Sequence, residues 1–295
     1  MQSDSSSNHQ STLLPVVSLL VTAVLWGIAW YPLRIAENHG LSGLWTTLIV
    51  FVAAMLIGLA LFWRQLPEFR QAPLLLFVLA MMNGWLNVAF VLAVIDGNVV
   101  RVILLFYLSP VWSTLLGWWW LDEKLSGLSI VTLVVAMLGA MVMLWDPSLG
   151  FPWPQDFTDW LAITSGIAFS ISNVTIRKLQ GISIRTKSMA AWVGVAVVAS
   201  VWILLTHHEL GQVAGVVYFW TVLIGVTMIF IVTFAVQYGV THMPVYRSAI
   251  ILLFELIAGA VSSQLLSDEV IGMVEWIGGG MIMLAAYLSA RSLKS

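Results

Sequence analysis

An acid in the middle of a long apolar run is the strongest chemical signal in this chain. Glu255 lies near the centre of the stretch 245–266, which is otherwise almost wholly uncharged. A carboxylate at the centre of a bilayer costs about 2.5–3.5 kcal/mol on insertion scales, so such an acid faces a cavity, a partner or a proton. Glu255 is therefore a candidate for carrying a coupling proton or binding a substrate ammonium; the plain alternative is a structural hydrogen bond. Asn83 and Asn87 stand four apart and share one helical face. Amides at that depth either line a polar cavity or join helices. Asn173, with Ser170 and Ser172, meets the same choice. Trp26 and Trp30 are also four apart, and Trp26 is a candidate for stacking on a flat or cationic solute. With 16 Trp in the chain, many must serve packing or the interface instead. Arg101 and Arg247 each open an apolar stretch. They either snorkel to headgroups or form a gate ion pair. His207-His208-Glu209 reads as a solvated segment, and no metal site is expected.

Several activities are excluded by what is missing. There is no Cys, hence no disulfide and no thiol catalysis. There is no H-E-x-x-H, no G-x-S-x-G and no P-loop. An enzyme is not expected, no cofactor is implied, and a nucleotide-driven pump lacks its motor. The net charge of −2 gives no reason for a nucleic-acid partner.

The elements that position these residues follow from composition. Hydrophobic residues make up 60% and charged residues 9%, with mean hydropathy +0.98. A soluble domain carries about 25% charge, so the expectation is an all-α integral membrane protein. A span needs roughly 20 apolar residues, and ten stretches qualify: 13–33, 43–63, 73–94, 99–121, 128–145, 159–176, 188–206, 214–237, 245–266 and 271–290. Residues 1–12 lack the basic start of a signal peptide, so the first apolar run is read as a retained helix. With both ends of the chain inside, Arg34 and Arg101 are the outside basic residues and the other ten of the 12 lie inside. The positive-inside rule therefore places both termini in the cytoplasm.

The chain divides into a polar tail 1–12, a five-helix repeat 13–147, a loop 148–158, a second repeat 159–290 and a tail 291–295. Val99-Val100-Arg101 matches Val245-Tyr246-Arg247, and Asp122-Glu123 matches Asp268-Glu269 at the same offset. Five spans are an odd number, so the second copy enters the membrane upside down. Such inverted repeats hold their solute near the midplane between the halves. The position equivalent to Glu255 is Ser109, beside Pro110, which frees a carbonyl one turn back. Ser109 and Glu255 are expected to face each other across the pseudo-two-fold axis.

Leu104-Leu105-Phe106-Tyr107-Leu108-Ser109-Pro110-Val111, followed by Leu121-Asp122-Glu123-Lys124-Leu125, resembles the fourth-helix motif of the EamA-type drug/metabolite transporter superfamily. Leu252-Leu253-Phe254-Glu255-Leu256 is similar to that family's ninth helix, Leu25-Trp26-Gly27 to its first, and Ile176-Arg177-Lys178-Leu179 to the end of its sixth. Leu256 stands where the family usually has Pro, which removes a helix breaker. Asp122 and Asp268 stand where it usually has Gly. The resemblance implies ten transmembrane helices in two inverted five-helix repeats and export of a small metabolite, amino acid or drug. Four helices of each half would surround the cavity, with the fifth and tenth bracing the outside or forming a homodimer contact. The partners are then a small-molecule substrate and the lipid bilayer. Uptake by the same fold, and a membrane-embedded enzyme or lipid-handling protein, are the rival readings.

Overall fold

The computed structural model describes the backbone of residues 4–146, 153–267 and 271–291, and the side chains of these except 4–12 and 291. Pro147, Pro152, Asp268, Glu269 and Lys294, and the side chain of Arg291, lie outside the described residues, so the loop and charge expectations that rest on them are not addressed.

Among the described residues the chain is helical throughout, without strands. Bilayer interiors offer no water to exposed N–H and C=O groups, and a helix satisfies them within one segment. The helices are α1 (Asp4–Asn38), α2 (Gly43–Phe62), α3 (Pro73–Asp96), α4 (Val99–Phe106), α5 (Ser109–Leu121), α6 (Gly127–Leu144), α7 (Phe157–Lys178), α8 (Ile184–Thr206), α9 (Gly215–His242), α10 (Val245–Leu252), α11 (Phe254–Leu266) and α12 (Met273–Arg291). A 3-10 helix, Trp63–Arg70, joins α2 to α3. Helix starts are capped by side chains that accept backbone N–H groups: Asn98 for α4, Ser126 for α6, Asp156 for α7 and Ser183 for α8. Asp122 and His207 adopt left-handed backbone (φ 52° and 50°) to end α5 and α8.

Nine segments among the described residues are long and apolar enough to cross a membrane, with α4–α5 and α10–α11 counting as one each. This is a multi-pass membrane protein. The sixth expected span, α7, has the length but is not among the nine, because it carries Asp159, Arg177, Lys178 and a series of hydroxyl and amide residues. Along its length the polar residues are buried in protein, since α7 packs against α3, α4, α5 and α9 and Asp159, Ser165, Ser170, Ser172, Asn173 and Thr175 are all buried, while Lys178 is exposed at its end. α1 lies against α9, α10 and α11, α2 against α8 and α9, α3 against α7 and α8, and α6 against α12. Large side chains such as Trp119, Leu204 and Leu205 stay exposed, as lipid-facing positions do.

The sequence reading needs correction at two stretches. Each of 99–121 and 245–266 is expected as one helix, and each is broken, at Tyr107–Leu108 and at Leu253. Pro110 accounts for the first break. The second occurs with Leu256 in place of proline: the Leu253 N–H turns to Ile250 O, and the Leu256 N–H to Leu253 O, both three residues back. The tightened turn lies just before the stretch of α11 that packs closely on Gly27 of α1. α1 also begins at Asp4, inside the stretch read as a polar tail.

Candidate functional site

The two helix breaks meet at the centre of the molecule. Tyr107, at the α4–α5 break, is buried, and its hydroxyl faces the Glu255 carboxylate at the start of α11. Glu255 makes no ion pair among the described residues. The surroundings are aromatic and aliphatic: Phe106 meets Tyr107 and Phe169 edge-on and Phe90 at a tilt, and Phe106 and Tyr107 share one hydrophobic cluster with Leu253, Leu256 and Ile257. Ser109 is buried too, but its carbonyl accepts from Ser170 Oγ at 2.9 Å. The polar group facing the acid is thus Tyr107, which the sequence reading missed; its signal was the position matching Leu253 in the other half.

Gly27 fixes how closely α1 approaches the acid. A Cβ there would lie 2.6 Å from Ala258 Cβ, 2.7 Å from Gly259 N and 2.8 Å from the Glu255 carbonyl. One turn outward, Trp30 Nε1 donates to Ser262 Oγ at 2.8 Å, and Ser262 donates to Gly27 O at 2.9 Å. Trp26 points elsewhere, against the cluster of Phe51, Met189, Trp192 and Ile229. Within that cluster, Trp192 lies 4.4 Å centroid-to-centroid from Phe230 and donates to Thr233 Oγ1.

The amides join α3 to α7. Asn83 Nδ2 donates to Ser172 Oγ at 2.8 Å and to Leu79 O at 3.0 Å; Asn87 Nδ2 donates to Asn83 O at 2.9 Å. Asn173 is buried, and its Nδ2 lacks a hydrogen-bond partner. A buried donor left open is uncommon in a native structure, and this one lies in the helix that the second half contributes to the centre. Ser113, Ser170 and the Ser109 carbonyl form a further polar chain between α5 and α7.

Each end of the bundle carries a carboxylate that binds both an arginine and a backbone N–H. At the end expected outside, Asp159 receives Arg101 Nε at 3.3 Å and the Gln155 N–H at 2.8 Å, while Arg101 Nη1 donates to Gln155 Oε1. At the opposite end, Glu123 lies 3.8 Å from Arg177 Nε and accepts the Val245 N–H at 3.0 Å. Burial pushes the Glu123 carboxyl above its ordinary value, opposed by the Val245 N–H and the Arg177 charge. Arg177 and the fully buried Lys187 both donate to Thr241, to its carbonyl and its hydroxyl. Arg247 forms no ion pair among the described residues; its Nε donates to the neighbouring Tyr246 hydroxyl at 2.9 Å. Asp159, Arg177, Lys187 and Thr241 were not singled out from sequence, since a charge near a span end reads equally well as solvated. No group of three metal-ligating side chains occurs among the described residues; His208 bonds Ser42 instead.

Residues 13–145 match the model of the EamA-like transporter family. Protein RarD of Salmonella typhi and Protein RarD of Salmonella typhimurium (strain LT2) are each 23% identical over 177 residues, 57% of this chain and 55% of theirs. The chain thus spans about half the length of the curated relatives it matches. A solved structure described as the crystal structure of a protein superposes with a TM-score of 0.74 at 17% identity, over 95% of this chain and 99% of that one, which establishes a shared fold. Through residues 13–145, less than half of its length, this chain is similar to the EamA-like transporter family.

Proposed function

We propose that the protein is an inner-membrane secondary transporter that exports a small organic metabolite, an amino acid or related compound or a drug, by alternating access. The carrying observation is the pairing of Tyr107 with Glu255 where equivalent helices of the two halves both break. Broken helices at the midplane leave free backbone groups and a polar side chain where a solute can bind. In this reading Glu255 carries the coupling proton or meets a substrate ammonium, and Tyr107 holds the carboxylate between events. Ser109, Asn83, Asn87 and Asn173 supply the walls, while Trp26, packed on the Phe51–Trp192 cluster, stands outside them. The ion pairs Arg101–Asp159 and Arg177–Glu123 act as gates at the two ends, and Arg247 stands beside the second.

Ten spans in two inverted repeats are supported by the packing pattern. Exchanging the halves carries the α1–α9 contact onto α7–α3, and the α1–α11 contact onto α7–α5; α2–α8 and α6–α12 map onto themselves. α7 then counts as the sixth span. The basic residues support cytoplasmic termini.

The test is flux in proteoliposomes under an imposed pH gradient, with a panel of labelled amino acids and organic amines. Saturable movement of a panel member is expected, and Glu255→Gln, which keeps size but removes titration, should abolish it while leaving the yield of folded protein intact. A Gln variant that transports at the wild-type rate with unchanged pH dependence would refute the mechanism. Turnover of solute without movement would favour an enzyme instead.

A further inference from the structure

Between α2, the 3-10 helix and α8 runs an apolar groove of about 290 Å³, lined by Met55, Leu59, Leu66, Phe69, Met189 and Val193. Leu59, Leu66 and Val193 are exposed at its mouth, so it opens sideways from the bundle toward the hydrocarbon. Its floor is the tight contact of α2 with α8, where Gly58 gives way to the Trp192 ring. From Met55 to Phe62 the helix rises about 10 Å, so the groove runs from the bundle rim well into the acyl region. It presents no polar side chain, which suits a hydrocarbon chain and no polar solute.

The rim has the opposite character. Arg64 and Arg70 on the 3-10 helix and Arg185 on α8 are exposed there, and none belongs to an ion pair among the described residues. Arg185 lies over the Phe62 ring and Arg64 over the Trp63 ring, while Trp63 is exposed as an interfacial anchor. The acid of this segment, Glu68, accepts the Thr186 hydroxyl at 2.7 Å and the Ser183 N–H at 3.1 Å, and its charge also attracts Arg185 without forming an ion pair. Three exposed guanidinium groups with a single nearby acid thus leave an excess of positive charge beside an apolar slot, at the end that the charge asymmetry assigns to the cytoplasm. Basic pockets between helices on that side fit the headgroups of anionic lipids.

We propose that this groove binds one anionic phospholipid of the inner leaflet, with an acyl chain between α2 and α8 and its phosphate held by Arg64, Arg70 and Arg185. The site joins an element of the first half to one of the second, and it does not depend on which solute is carried.

The experiment is native mass spectrometry and thermal unfolding of the detergent-purified protein titrated with phosphatidylglycerol, phosphatidylcholine or inorganic phosphate. Wild type should retain phosphatidylglycerol with a roughly tenfold preference over phosphatidylcholine, given the attraction of several basic residues for an anionic headgroup, and gain thermal stability from it. Leu59→Trp, which fills the slot, should lose that retention, and the Arg64→Gln/Arg70→Gln/Arg185→Gln variant should hold the two lipids equally. The arginine variant keeps the test valid should Leu59→Trp fold poorly. Equal retention of both lipids by wild type, an undiminished preference in the arginine variant, or stabilisation by phosphate alone would each overturn the proposal.

Discussion

Gly27→Ala tests whether the approach of α1 to the acid-bearing helix is as close as the structure gives it. The new methyl would sit 2.6 Å from Ala258 Cβ, 2.7 Å from Gly259 N and 2.8 Å from Glu255 O. Two of these atoms are backbone, so no rotamer change relieves them. α11 would have to retreat by roughly 1 Å to restore van der Waals separation, which strains the Ser262–Gly27 and Trp30–Ser262 hydrogen bonds. Overpacking of this kind costs about 1–3 kcal/mol. Against it stands the gain from replacing a mid-helix glycine, about 0.5–1 kcal/mol. Gly280→Ala isolates that gain, because a Cβ at Gly280 meets nothing within 4 Å. Thermal unfolding should therefore place Gly27→Ala below wild type and Gly280→Ala at or above it. Transport should also fall in Gly27→Ala, since Glu255 moves with α11 relative to Tyr107. If Gly27→Ala matches Gly280→Ala in both stability and flux, the helices are not packed as described and the geometry argued for the acid fails.

Asn83→Leu and Ser172→Ala each remove the 2.8 Å bond between α3 and α7, and each should lower stability by roughly 0.6–2 kcal/mol; a double variant no worse than either single one would identify the shared bond, whereas full additivity would deny it. Glu123 is held above its ordinary carboxyl range by burial, so folding favours its neutral form, and its contribution to stability is present at low pH and declines as pH rises past the usual value. Glu123→Gln, locked neutral, should match wild type in acid and unfold at higher temperature near neutrality; a Gln variant less stable than wild type at neutral pH would show that the Arg177 pair outweighs burial. Asp156 is held below its ordinary value by the Thr158 hydroxyl and the Asp159 N–H, so its cap on α7 acts fully above the ordinary Asp value and is lost as pH falls through the lowered one. Asp156→Ala should cost about 1 kcal/mol at neutral pH, a loss that shrinks on acidification; a pH-independent difference from wild type would assign the cap to something other than the carboxylate.

Composition and apolar run length determined the class of this protein, because 9% charge cannot clothe a soluble domain and long apolar runs in lipid have one backbone solution. The match of residues 13–145 to the EamA-like family was legible in local motifs, since these are contiguous in the chain. Glu255 stood out because a lone acid in an apolar run is costly wherever the fold puts it. Its partner did not, because a tyrosine near the middle of another span carries no comparable penalty until folding brings the two breaks together. The break at Leu253 was equally hidden, because Leu256 offers no local breaker and the turn closes through backbone bonds three residues back. α7 was read as an ordinary span, yet its polarity is tolerated through the helices that enclose it. Arg101 and Arg247 occupy equivalent places in the sequence and end in different surroundings, one on Asp159 and one on Tyr246. Short-range patterns thus decided what the chain is made of, while pairings over long separations, which depend on how helices pack, were decided by tertiary structure alone.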